Sequence, residues 1–96
     1  MVKTDTIEGT VDDVLRFHYD VFADVLYLRL LSAEGRETYG EITDGGDMLL
    51  REEDSDKAVG LTVISWWKRY GLGMSLPDSI AEIQKHIEPF AKKIAA

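Results

Sequence analysis

The chain has 96 residues, of which 45% are apolar and 30% charged; its net charge is −7 and it contains no cysteine. That length suits one domain with a modest core, and the missing cysteine excludes disulfides, thiolate zinc sites and cysteine nucleophiles together. The acidic balance disfavours nucleic acid, whose phosphates are held by Lys and Arg, and is compatible with a basic protein partner.

Residues 1–10, MVKTDTIEGT, are polar and read as a loose lead-in to a single domain over 11–96. They lack the apolar run of a secretory leader, and no stretch approaches the roughly 20 apolar residues of a membrane span. The expectation is a cytoplasmic protein with no membrane partner. The acids are concentrated early: residues 1–60 hold 15 acids against 6 bases, and residues 61–96 hold 3 against 5.

From Val14 the sequence VLRFHYD alternates, with Leu15, Phe17 and Tyr19 on one side and Val14, Arg16 and His18 on the other. That period of two predicts a half-buried strand. Val21-Phe22-Ala23 connects it to a second strand, DVLYLRLL, over Asp24 to Leu31, rich in strand-forming residues. After a turn around Gly35, TYGEIT predicts a short third strand over Thr38 to Thr43. Asp44-Gly45-Gly46-Asp47 is a turn; it lacks the Lys and Ser/Thr that a phosphate-binding loop requires. Met48 to Glu52 predicts a fourth strand, Glu53 to Lys57 an acidic turn, and AVGLTVISWW over Ala58 to Trp67 a fifth, the most apolar. Gly71-Leu72-Gly73 ends the pattern. Pro77 suits a first helical turn capped by Ser75 or Asp78, and Ile80, Ile83, Ile87, Phe90 and Ile94 then recur at steps of three and four on one stripe. Pro89 removes one donor and predicts a bend near Lys85 to Glu88. The fold class is therefore α+β, an antiparallel meander of about five strands followed by one kinked C-terminal helix.

Two of these strands are apolar on both faces. The second carries Val25, Tyr27 and Leu31 against Leu26, Leu28 and Leu30; the fifth carries Leu61, Val63 and Trp67 against Ile64 and Trp66. Such strands require cover on both sides, and one helix covers one. A homo-oligomer, a dimer first, follows as the expectation, with Phe22, Ile64, Trp66 and Trp67 as candidate interface residues; a twist that curls the sheet on itself is the competing account.

The hairpin YDVFADVLYL, with Tyr19, Asp20, Asp24, Leu26 and Tyr27 in the pattern Tyr-Asp, three residues, Asp, any residue, Leu-Tyr, resembles the signature of domain-of-unknown-function family 2283. The strand Val59-Gly60-Leu61, alternating on to Ile64, is similar to that family's second landmark; together they span about Phe17 to Ser65. The resemblance implies a small, mostly prokaryotic, sheet-forming domain of uncharacterised activity and carries over no catalytic residue. Two departures stand out: Val21 and Phe22 replace a proline usual near the hairpin tip, and Asp54-Ser55-Asp56 replaces an Asp-x-x-Gly turn. Without the family, Asp20 and Asp24 still read as carboxylates that accept backbone N–H bonds around a tight connection.

The remaining constellations are thin. His18 and Asp20 share a strand face and, with Tyr39, mark the one candidate for a small-ligand or hydrolytic pocket, but no nucleophile stands at a diagnostic spacing. Glu52, Glu53, Asp54 and Asp56 lack the spacing of a calcium loop, and His18 and His86 lack that of metal ligands, so no metal or cofactor is expected. Trp66-Trp67-Lys68-Arg69-Tyr70 mixes aromatics with bases as a single-strand binder does, yet within an acidic chain it reads as core and interface. The favoured function is a non-enzymatic oligomeric interaction module, one version being an antitoxin-like acidic protein that binds a basic partner. The pocket near His18 and Asp20 is the alternative.

Overall fold

The computed structural model describes residues 6–76 and 80–95. An antiparallel sheet of six strands forms its body: β1 (Thr6–Val11), β2 (Leu15–Asp20), β3 (Val25–Leu30), β4 (Thr38–Ile42), β5 (Met48–Glu52) and β6 (Ala58–Ile64). Their order is β1-β2-β3-β6-β5-β4, two three-stranded meanders joined where β3 pairs with β6. A short helix, α1 (Trp66–Tyr70), follows β6, and α2 (Ile80–Ala95) ends the chain. The α+β class, the antiparallel sheet and the C-terminal helix stand as the sequence implies.

Three details differ. The lead-in expected over residues 1–10 is a sheet strand from Thr6 onward; residues 1–5 lie outside the described residues. β1 pairs along its whole length with β2, from Thr6 opposite Asp20 to Val11 opposite Leu15. Its inward positions are Ile7, Gly9 and Val11, and the ring of Phe17 lies over Gly9, where a Cβ would stand 2.8 Å from Cε1 and Cζ. The fifth predicted strand stops at Ile64 rather than Trp67, because Ser65 turns into the left-handed region (φ 53°) and the two tryptophans start α1. The connection of β2 to β3 has four residues, since Asp24 is also left-handed (φ 56°) and pairing begins at Val25. The helix opening expected at Pro77 and Asp78 lies outside the described residues, as does the side chain of Ile80. From Ile80 on, α2 is a single helix that passes through Pro89.

One face of the sheet is covered. Leu15, Phe17 and Tyr19 of β2, Leu26, Leu28 and Leu30 of β3, and Val59, Leu61 and Val63 of β6 are buried against Ile83, Ile87, Phe90, Ala91 and Ile94 of α2. The alternation in the strands and the three-four spacing in the helix meet on this face, and burial of each large side chain favours the fold by about 1.5–3 kcal/mol. Among the described residues no helix is long and apolar enough to cross a membrane.

The β1–β2 connection carries local strain. Asp12 and Asp13 both hold positive φ (53° and 54°), and the turn closes with Val14 N–H donating to the Val11 carbonyl at 3.1 Å. The left-handed region costs most L-residues about 1–2 kcal/mol and glycine almost nothing. Asp13→Gly is therefore expected to raise the unfolding free energy by about 0.5–1 kcal/mol, read as a higher midpoint in urea. A lowered midpoint would contradict the turn geometry.

Candidate functional site

The hairpin residues singled out from sequence converge on one carboxylate. Asp24 lies in the four-residue connection after β2, and its Oδ1 accepts the Tyr19 hydroxyl at 2.7 Å and the Trp67 amide at 2.8 Å. Its Oδ2 accepts the Lys68 amide at 3.0 Å, and its own carbonyl accepts the Trp66 amide at 3.1 Å. Asp24 thus satisfies the free N–H groups at the start of α1, the work of a cap, although Ser65 occupies the preceding position and makes no side-chain cap. Asp20 closes the connection from the other side by accepting the Ala23 amide at 3.1 Å. Of the remaining signature residues, Leu26 points into the core and Tyr27 to the opposite face.

Electrostatics follow from this geometry. Burial by itself would raise the Asp24 pKa; the hydrogen bonds from Tyr19 and from the amides of Trp67 and Lys68 outweigh it and hold the carboxyl below its ordinary value. Burial, then the bond to Asp24, pushes the Tyr19 hydroxyl well above its usual range, so it remains a donor. Tyr19 also stands edge-on to Trp66, ring centroids 5.0 Å apart.

The proposed pocket residues are not brought together. His18 and Asp20 lie on the face away from α2, where His18 Nδ1 is 2.7 Å from Glu8 Oε1 and its ring meets Tyr27 edge-on at 5.6 Å. Tyr39 is on β4, four strands from β2 in the sheet order, a separation of about 19 Å at the usual strand spacing. It stands on the other face, opposite Arg51, and donates to Asp56 Oδ1 at 2.8 Å. Two clefts flank α2, one lined by residues including Val11, Leu15, Ala91 and Lys92, the other by residues including Trp67, Tyr70, His86 and Phe90; His18, Asp20 and Tyr39 line neither.

The four candidate interface residues also separate. Trp66 is fully buried in the core, a correction to its assignment as an interface residue: α1 turns it under the sheet, whereas a continued strand would have presented it outward. Trp67 is half-buried, meets His86 edge-on at 5.0 Å and donates from Nε1 to the Met74 carbonyl at 2.7 Å. Phe22 (81% exposed) and Ile64 (48%) do face outward. Arg69 is engaged internally, donating to Asp47 Oδ1 at 2.7 Å and to the carbonyls of Ile64 and Gly45 at 3.0 and 2.9 Å. Lys68 and Arg69 are both exposed, and of the two bases Arg69 is the one tied to these internal acceptors.

At the end of β5 Glu52 pairs with Arg36 at 3.1 Å, and in the acidic turn Asp56 holds Tyr39. A hydrogen bond with Glu37, then that residue's charge, raises the Glu53 pKa, the effect of a like charge close by. Among the described residues no group of three His, Asp or Glu is arranged to hold a metal ion.

What sequence reasoning understated is the extent of the uncovered face. The register aligns one row across all six strands: Glu8, His18, Tyr27, Thr62, Met48 and Ile42. Beside it run Val25 and Ile64 on one flank and Arg29, Gly60 and Leu50 on the other. Tyr27 and Ile42 are 44% and 64% exposed. This is a mixed apolar strip with no covering layer among the described residues. No family model, no curated protein and no solved structure matches the chain.

Because the folded pKa of Asp24 is depressed, its stabilisation is complete above the ordinary aspartate value of 3.8 and is lost as pH falls through the folded value. Asp24→Asn is expected to lower stability at pH 7 by about 1–3 kcal/mol. In denaturant titrations the gap to the natural protein should narrow below about pH 4. An equal gap at pH 7 and pH 3 would show that the charge of Asp24 contributes nothing.

Proposed function

We propose that the protein is a non-enzymatic interaction module whose working surface is the sheet face away from α2. One observation carries this reading: Val25, Tyr27, Ile64, Met48 and Ile42 form a connected apolar strip that no element among the described residues covers. Single exposed apolar residues are ordinary, but a contiguous strip across a sheet is a feature of association surfaces. The dispersal of His18, Asp20 and Tyr39 over two faces and distant strands favours this over a hydrolytic or small-ligand pocket.

The test is solution mass. Sedimentation equilibrium at micromolar concentration is expected to give a mass above the 10.8 kDa of one chain. Ile64→Lys should return it to 10.8 kDa while the chain still unfolds cooperatively, because Ile64 lies outside the buried core. A natural protein that sediments as a strict monomer would overturn the oligomeric reading.

A further inference from the structure

The open face is self-complementary, and the geometry points to a second copy of this chain as its occupant, packed face to face about a twofold axis that runs along the row Glu8–His18–Tyr27–Thr62–Met48–Ile42 and sets Asp20 of each copy against Arg16 of the other. This rests on the open face being the working surface.

The choice of occupant follows from charge. The chain carries −7, yet the β1–β3 half of the open face holds Glu8 and Asp20 against Arg16 and Arg29, two acids and two bases. A strongly basic partner would gain little on such a surface, whereas a copy of it finds both signs. The signs are also segregated. On β2, Asp20 lies one pleat period to one side of His18 and Arg16 one to the other, about 13 Å apart along the strand and too far to pair within one chain.

Rotation about the central row exchanges those flanks. Asp20 then lies over Arg16 of the copy, Val25 over the aliphatic stem of Arg29, and Ile64 over Gly60, across which the Leu50 side chain leans. Tyr27, Thr62, Met48 and Ile42 meet their own counterparts along the axis. Aligned sheets pack about 10 Å apart, a gap that an arginine and an aspartate reaching from opposite sides can close. Arg16 retains donors beyond the Nη1 bonded to Glu34 Oε1 at 2.9 Å, and Asp20 retains the oxygen that Ala23 does not use. Glu8 meets its own copy at the sheet edge, with its side chain 61% exposed, where water and salt screen the repulsion.

The experiment uses two charge variants of the full chain, Asp20→Arg and Arg16→Asp. Each alone sets like charges against each other twice across the axis and is expected to weaken self-association by at least about tenfold. Mixed in equal amounts they restore opposite charges at both contacts. The mixture should associate within about threefold of the natural protein. Melting curves of each variant verify that it is folded, and rescue by mixing cannot come from two damaged chains. Dissociated variants that stay apart when mixed, or a natural oligomer indifferent to both substitutions, would overturn this axis. If Ile64→Lys still dissociates that oligomer, the open face stands as the working surface and only the proposed pairing falls. A monomeric natural protein overturns both.

Discussion

The carboxylate of Asp24 ties the β2–β3 hairpin to the exit of β6, elements 43 residues apart along the chain at its bond to Trp67. It binds two amides of α1 and the hydroxyl of Tyr19, while the backbone carbonyl of the same residue takes the Trp66 amide. A five-residue helix has little stability of its own, since nucleation fixes several residues for few bonds. Here the cap is supplied by the β2–β3 hairpin. With Ser65 in the left-handed region, the chain leaves the sheet plane at Ile64 and delivers Trp66 into the core. The remaining chain, including α2, then follows on that side.

From that turn comes the asymmetry of the molecule. Among the described residues the helical cover lies on the face that holds Phe17, Leu28 and Val63, and the other face is left with Tyr27, Thr62, Met48 and Ile42. The acidic surplus is placed elsewhere: Glu53 and Asp54 crowd the β5–β6 turn, while the charges across β1 to β3 on the open face balance. Repulsion between acidic bodies therefore acts mainly away from the strip, and the strip keeps a mixture of apolar and paired polar groups suited to reversible association.

Strand periodicity made β2 and β3 legible in sequence, and the three-four spacing of Ile83, Ile87, Phe90 and Ile94 made α2 legible, because these elements bury one regular face. β1 was not legible. Of its inward positions Gly9 supplies no side chain, and the ring that fills the gap belongs to Phe17 on the neighbouring strand. α1 was misread as strand because its local signals are absent: Trp66 and Trp67 extend an apolar run, and the capping group comes from Asp24 rather than from Ser65. The same error assigned Trp66 to an interface. Asp20 and Asp24 were legible as acceptors of backbone N–H groups, but which amides Asp24 takes depends on pairing between β3 and β6, which no local pattern encodes. The uncovered face was inferred from strands greasy on both sides; the alternation already set Arg16, His18 and Asp20 on one side of β2, but their neighbours Glu8, Val25 and Arg29 became visible only with the register.

The cap at α1 has one more implication. Asp24 grips peptide N–H groups of Trp67 and Lys68, not their side chains. Every residue except proline offers such a group, so recognition at this corner is blind to identity. Drift at the exposed Lys68 position would leave the joint intact, whereas a shortened or uncharged side chain at position 24 would loosen it whatever followed Ser65.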